Sequence, residues 1–258
     1  MCRHLAYVGR PCTLEELVVA PPYSLSRQSW APRMQRHGTM NVDGFGVGWY
    51  SPTRTEPVRY RRAQPIWTDA SFASLAPTIS SGCILAAVRS GTPGFGHDES
   101  CAAPFAYGRW LFSHNGRLYD WPRARKALLD LTYDIPEAVA PVDSALLFGL
   151  AAADWAAGGG LGAGLREALA LALDSGGGRL NLLAVDGTRI AATALGEPLH
   201  VRAGEGSVVV ASEPYDDDPS WQQVPDGALV EADVHGVTVT AITAEPGRST
   251  ADPSTELR

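Results

Sequence analysis

The chain begins Met1-Cys2-Arg3-His4-Leu5-Ala6-Tyr7-Val8, which places a cysteine directly before a short run typical of a β-strand. Removal of Met1 is expected when a small residue follows it, and this leaves Cys2 as the first residue. Its α-amine, with a reference pKa of about 7.7–8.0, then lies on the same residue as the thiol and can act as its general base. Two interpretations of Cys2 follow: a nucleophile that needs no histidine, or an incidental cysteine near a chain end.

Composition narrows the class of protein. The 258 residues are 45% hydrophobic and 19% charged, with a net charge of −7, which predicts one or two globular domains and excludes collagen and coiled coil. The acidic balance argues against a nucleic-acid partner, and no run approaches the roughly 20 apolar residues that span a bilayer. No apolar signal-peptide region follows the first residues, and four cysteines are too few for a disulfide scaffold. We expect a cytoplasmic protein with neither a membrane nor a nucleic-acid partner.

The predicted elements run in the order strands, helices, strands. The predicted strands are 3–8, 45–50, 58–62, 83–89, 110–114, 180–185, 190–195, 199–202, 208–211, 229–234 and 237–242. Helices are predicted at 70–75, 121–129, 142–155 and 165–173. Thr13 and Glu16 have the spacing of a capping box and predict a short helix to about Val19, whereas 21–41 is predicted to be a long loop. This order favours two helix-covered sheets over a strictly alternating βαβ fold.

Three further motifs carry groups that can bind or stabilise a substrate. Arg89, in Arg89-Ser90-Gly91-Thr92-Pro93-Gly94 at the end of an apolar strand, can hold a carboxylate in a bidentate fork, with Thr92 beside it, or it can be a surface arginine in a turn. Asn115 and Gly116 follow a strand and can provide an oxyanion hole, or they can form a plain Asn-Gly turn. Asp143 can bind an ammonium group or cap the helix that begins there.

A metal or nucleotide site is not expected. Cys2-x-His4 and His97-x-x-x-Cys101 together offer four ligands, but their spacing matches no closed zinc pattern. The glycines of 43–48 have no strand before them and no helix after them, which a dinucleotide-binding loop requires. We therefore predict no metal and no cofactor.

Taken in order, these motifs resemble those of the class II glutamine amidotransferases, which are N-terminal-nucleophile hydrolases. The resemblance covers roughly residues 2–215 and includes Asp43-Gly44-Phe45-Gly46-Val47-Gly48-Trp49-Tyr50 and Ser212-Glu213-Pro214. It implies an α+β fold, a four-layer αββα sandwich. We expect one such domain over residues 2–244 and a flexible tail at 245–258.

The resemblance also implies a role for each matching residue. Cys2 is the implied nucleophile and, through its amine, the base, while Asn115 and Gly116 form the implied oxyanion hole. Arg89, with Thr92 nearby, is implied to bind the α-carboxylate of a γ-glutamyl group. Asp143 is implied to bind the α-ammonium of the same group. The partner is thus a small γ-glutamyl molecule, and the reaction passes through a γ-glutamyl thioester.

Within the family, the chain is most similar to the γ-glutamyl amidohydrolases of actinobacterial ergothioneine biosynthesis. It has the start Met1-Cys2-Arg3-His4-Leu5 and the 21–41 insertion, and it lacks a synthase domain after the sandwich. That group cleaves γ-glutamyl-hercynylcysteine sulfoxide to glutamate and hercynylcysteine sulfoxide. Two alternatives stay open: a glutaminase subunit that supplies ammonia to a separate synthase, and a non-catalytic binding protein. The candidate residues for the leaving-group pocket are Tyr23, Trp30, Trp67, Phe95, Arg27, Arg33 and Arg36.

Overall fold

The computed structural model describes residues 2–242, and in that range it has thirteen β-strands and five α-helices. The strands are β1 (Arg3–Thr13), β2 (Phe45–Trp49), β3 (Val58–Arg62), β4 (Ser80–Val88), β5 (Phe105–Tyr107), β6 (Trp110–Leu118), β7 (Gly178–Val185), β8 (Ile190–Ala194), β9 (His200–Gly204), β10 (Ser207–Ala211), β11 (Gln222–Gln223), β12 (Ala228–Asp233) and β13 (Gly236–Ala241). The helices are α1 (Leu25–Gln28), α2 (Ala70–Leu75), α3 (Trp121–Leu128), α4 (Asp143–Ala156) and α5 (Leu161–Asp174). Met1 and the predicted tail at 245–258 lie outside the described residues.

The strands form two antiparallel sheets. The first has the order β11-β9-β10-β1-β4-β2-β3, so β1 lies in its interior between β10 and β4. The second has the order β13-β12-β8-β7-β6-β5. In the first sheet Arg3 and Phe45 both pair with Val88, so β1, β2 and β4 meet at one end of the sheet. Cys2, immediately before β1, lies at that end.

Side-chain alternation along the strands builds three apolar layers. On β1, Ala6 and Val8 belong to the core between the two sheets, while Leu5 packs on the outer face of the first sheet. On β7, Leu183 faces the first sheet, whereas Leu182 packs against the helices that cover the second sheet. This period of two is what a strand buried on both faces requires.

Helices cover both outer faces of the sandwich. The outer face of the second sheet packs against α3, α4 and α5, and α4 is buried almost all round because Ala, Leu and Phe occupy every side of it. The first sheet is covered by shorter elements, including α1, α2 and the helical turn Glu15–Val19. The predicted αββα sandwich is therefore confirmed.

Two local predictions are corrected by the structure. The predicted turn at Asn115-Gly116 is wrong, because β6 continues to Leu118 and these two residues pair with Asn181 and Leu180 of β7. An Asn-Gly pair indicates a hairpin only where the next strand follows immediately, and β7 lies more than sixty residues further along the chain. The predicted 21–41 loop contains the short helix α1, whose first turn is capped by Ser24.

Among the helices of residues 2–242, none is long and apolar enough to cross a membrane.

Candidate active site

Cys2 and Arg89 line the same small cavity at the end of the first sheet. The sheet brings them together, because Arg3 pairs with Val88 and the next residue outward on each strand is therefore Cys2 or Arg89. The cavity measures about 20 Å³, which is room for one water molecule. Cys2 and Arg89 thus border the same space.

His114 also lines this cavity, but both of its ring nitrogens are already bonded. Nε2 lies 3.0 Å from the carbonyl oxygen of Arg179, and a carbonyl only accepts, so Nε2 carries the hydrogen. Nδ1 then accepts from the Ser144 hydroxyl at 3.1 Å. Burial lowers the pKa of His114, which keeps the ring neutral. His114 therefore has no lone pair left to take a proton from Cys2.

His4 is a second buried imidazole near Cys2. Its Nδ1 lies 3.1 Å from the Ser113 hydroxyl, and its backbone N–H donates to the Ser212 hydroxyl at 3.0 Å. Burial, reinforced by His114 and Arg3, lowers the pKa of His4 to about 3. A base this weak does not activate a thiol at neutral pH, so neither histidine competes with an α-amine for that role.

The Asn115 side chain faces the first sheet from the second. It lies on the same face of β6 as Leu111 and Ser113, and it is fully buried. Its Nδ2 has only a long contact, 3.5 Å, to the Ser212 hydroxyl, and its Oδ1 has no hydrogen-bond partner among the described protein atoms. The amide is therefore positioned by packing and can still donate to a substrate oxygen.

Gly116 lies where β6 and β7 approach closely. A Cβ built at this position would lie 1.8 Å from the carbonyl oxygen of Arg179, which no real side chain tolerates. Only glycine therefore lets β6 keep its register here, next to Asn115.

Arg89 is buried and held by backbone carbonyls. Its Nη2 donates to the Gly96 carbonyl at 2.7 Å, and its Nη1 donates to the Asp43 carbonyl at 3.3 Å. The Asp43 carboxylate accepts from the Gly91 N–H at 2.7 Å, so Asp43 fixes both the guanidinium and the loop that follows it. Thr92 lies half-buried in this loop, and its carbonyl accepts from the Phe95 N–H.

Asp143 is the first residue of α4. One interpretation of the sequence is that its side chain caps this helix, but the structure shows no such side-chain cap. Its Oδ2 accepts from the Leu118 N–H at 3.0 Å, and its Oδ1 accepts from the Ser144 N–H at 2.8 Å. The Gly96 N–H donates to the Pro141 carbonyl, which joins the Arg89 loop to the start of α4. The two predicted ligands of a zwitterion are thus held by connected backbone segments.

The predicted leaving-group residues have mixed positions. Arg33 stacks over the Tyr23 ring at 3.4 Å and both side chains bond Asp217, so this pair holds the loop together. Trp30 and Trp67 form an edge-to-face pair with ring centroids 5.4 Å apart.

The other predicted pocket residues are either packed against a neighbouring ring or exposed on the surface. Phe95 packs edge-to-face on Trp121, while Arg27 and Arg36 are exposed.

Within residues 2–242, no cluster of three or more His, Cys, Asp and Glu side chains could hold a metal ion.

Sequence reasoning missed three charged residues near the site. Asp43 and Glu213 have no individual role in the sequence predictions, where they are only part of the stretches 43–50 and 212–214, and Arg3 is only part of the chain start. Glu213 is fully buried 3.6 Å from the fully buried Arg3, the neighbour of Cys2. A charged pair in otherwise apolar strand ends is the signal that could have identified them.

No protein-family model matches the chain. It is 45% identical over 243 residues to the γ-glutamyl-hercynylcysteine sulfoxide hydrolase of Mycolicibacterium smegmatis, covering 94% of this chain and 100% of that one. It is 43% identical over 247 residues to the hydrolase of the same name from Mycobacterium tuberculosis, covering 96% of this chain and 99% of that one.

Solved structures agree on the fold. A protein of Silicibacter pomeroyi described as a glutamine aminotransferase class-II domain protein superposes with a TM-score of 0.70 at 24% identity, over 94% of this chain and 100% of that one. The glutamine phosphoribosylpyrophosphate amidotransferase of B. subtilis superposes with a TM-score of 0.66 at 16% identity, over 94% of this chain and 49% of that one. The chain therefore belongs to the γ-glutamyl-hercynylcysteine sulfoxide hydrolase family, enzymes built on the fold of the class II glutamine amidotransferases.

Proposed function

We propose that this protein hydrolyses the γ-glutamyl amide of γ-glutamyl-hercynylcysteine sulfoxide, releasing glutamate and hercynylcysteine sulfoxide during ergothioneine biosynthesis in the cytoplasm. The observation that carries the proposal is the 45% identity to a hydrolase of that name over its full length. The shared cavity of Cys2 and Arg89 supports it, because a nucleophile and a carboxylate-binding group are both needed for this substrate.

In the proposed reaction Cys2, exposed by removal of Met1, attacks the γ-carbonyl carbon. The thiol proton passes to the α-amine of Cys2 as the carbon–sulfur bond forms, and the carbonyl electrons move to oxygen. The α-amine then gives the proton to the departing nitrogen as the carbon–nitrogen bond breaks. Water attacks the resulting γ-glutamyl thioester, which frees glutamate and restores the thiol. The neutral, fully bonded ring of His114 supports the α-amine as the base.

The negative charge that develops on the carbonyl oxygen needs hydrogen-bond donors. We assign this role to the Asn115 side-chain amide and the Gly116 N–H. The buried Asn115 amide supports the assignment, since its donor has only one long contact. Loss of one such donor typically lowers the rate by about 10²–10³.

The glutamyl head carries a carboxylate and an ammonium group. We assign the carboxylate to Arg89, with Thr92 beside it, and the ammonium to Asp143. Arg89 uses two of its five N–H donors on the carbonyls of Asp43 and Gly96, which fixes the plane of the fork and leaves donors for a carboxylate. Fixing the head in this way holds the γ-carbonyl close to the thiol.

The test is release of glutamate from γ-glutamyl-hercynylcysteine sulfoxide by the purified protein, with glutamine and glutathione as comparison substrates. We expect turnover by the wild type, an intact mass without Met1, and a loss of at least about 10³-fold in kcat for Cys2→Ala. Cys2→Ser is a less clean variant, because serine is itself a nucleophile in such enzymes. Full activity of Cys2→Ala, or a wild type that keeps Met1 and is active, would reject the mechanism.

A further inference from the structure

The fully buried carboxylate of Glu213 anchors a segment of the 21–41 insertion. Its Oε1 accepts from the Arg33 N–H at 3.0 Å, and its Oε2 accepts from the Met34 N–H at 2.8 Å. The same Oε2 lies 3.6 Å from Nε of Arg3, which is also fully buried and next to Cys2 in the chain. Two backbone N–H groups that donate to one buried carboxylate form charge-assisted hydrogen bonds, which are stronger than neutral ones and fix the position of residues 33 and 34.

The anchor lies on the far side of β1 from the glutamyl-head residues. In the first sheet, β10 and β4 flank β1 on opposite sides. Arg89 follows β4, whereas Glu213 follows β10. If the head is bound by Arg89, the group on the other side of the scissile bond extends toward β10 and the segment that Glu213 holds.

After the anchored segment, the chain crosses the Cys2 end of the sheet. His37 Nε2 lies 4.0 Å from the carboxylate of Glu197, which precedes β9, so residues 33–37 stay on the β10–β9 side. Asp43, six residues later, bonds Gly91 on the β4 side. Residues 38–42 therefore carry the chain from one side of β1 to the other.

We propose that residues 33–37, here called the strap, form the leaving-group subsite, and that Glu213 is the positioning residue that holds them there. This inference rests on the proposed function. The strap carries the exposed side chains of Arg36 and His37 on the side where the leaving group emerges, which suits an amino-acid-sized leaving group with a carboxylate. Ammonia, the leaving group from glutamine, is too small to reach the strap. The strap therefore favours large γ-glutamyl amides over glutamine.

Met34 offers a matched pair of variants. Met34→Pro removes the N–H that Glu213 accepts, while Met34→Ala keeps it, and both lose the same half-exposed side chain. We expect Met34→Pro to lower kcat/KM for γ-glutamyl-hercynylcysteine sulfoxide about tenfold more than for glutamine, mainly through KM. Met34→Ala keeps the hydrogen bond to Glu213 and should change the ratio of the two substrates much less than Met34→Pro does. Equal losses on both substrates, or no loss, in Met34→Pro would overturn the role of the strap.

A second measurement covers the case in which Met34→Pro fails to fold. Hydrogen exchange in the wild type should show the Arg33 and Met34 amides protected, and Glu213→Gln should speed their exchange and shift the same substrate ratio. Unprotected amides in the wild type would overturn the anchor. A wild type with no turnover of the large substrate would instead overturn the proposed function, and the strap's role with it.

Discussion

At the scale of single residues, His4 makes stability depend on pH. Its ring takes up a proton near pH 6.5 in the unfolded chain but only near pH 3 in the fold, because it is fully buried beside Arg3. Between these values the unfolded state binds more protons, so the free energy of unfolding rises with pH across that window and falls as acid is added. One such group contributes about 1.4 kcal/mol per pH unit.

His4→Asn removes this titration while keeping a polar atom near Ser113. The wild type should be the more stable protein at pH 7, and its advantage over His4→Asn should shrink by about 1.4 kcal/mol per unit between pH 6 and 4. Urea unfolding at each pH measures both. Burial also lowers the pKa of His114 and His200, so both proteins should still lose stability in acid. A difference that stays constant with pH would contradict the neutral state of His4.

At the scale of elements, the β6–β7 pair depends on one glycine. Gly116→Ala places a Cβ 1.8 Å from a backbone oxygen of β7, so the strands must shift apart next to Asn115. We expect a loss of about 3 kcal/mol or more in the free energy of unfolding, together with a large loss of activity. Gly236→Ala is the control, because nothing lies within 4 Å of its added Cβ. Similar unfolding midpoints for the two variants would show that β6 does not need glycine at 116.

Local signals predicted elements well where the partner residues are close in sequence. Thr13 and Glu16 exchange the reciprocal bonds of a capping box, with the Glu16 N–H donating to the Thr13 hydroxyl at 3.1 Å and the Thr13 N–H donating to the Glu16 carboxylate at 2.7 Å. Asp186-Gly187, a dipeptide typical of hairpins, lies in the connection that joins β7 to β8. Helix α5 begins earlier than predicted, at Leu161, because packing against Trp155 outweighs the low helix propensity of Gly164.

Across the whole molecule, the parts of the site that the sequence could not predict depend on distant partners. The cavity that joins Cys2 to Arg89 depends on the order of the strands in the first sheet. That order could be expected only through the resemblance to a family of known fold. The bonds from Glu213 to residues 33 and 34 span about 180 positions, and only a three-dimensional fold brings them together. Ser212-Glu213-Pro214 shows an acidic residue after an apolar strand, but it does not show which distant residues that carboxylate holds.

The fold as a whole also separates Cys2 from the other three cysteines, because Cys83 and Cys101 are buried and Cys12 is half-buried with a raised thiol pKa. Burial raises the pKa of Cys12 to about 11 and raises the pKa of Cys83 and Cys101 as well, so these thiols stay protonated at neutral pH. Cys2 is half-buried and lines the site cavity. Because the thiolate is the reactive form, we expect the native protein at pH 7.5 to react rapidly at one thiol, Cys2, in parallel with loss of activity.

A disulfide reagent that releases a coloured thiolate measures this directly. The native wild type should show one fast equivalent and the protein unfolded in urea four, since all four cysteines are free. Cys2→Ala should lose the fast equivalent and keep three after unfolding. A second fast thiol in the native state would contradict the protection of Cys12, Cys83 and Cys101. A fast thiol that persists in Cys2→Ala would show that the reactive group is not the proposed nucleophile, because Cys83 and Cys101 are buried and a raised pKa keeps the half-buried Cys12 thiol protonated.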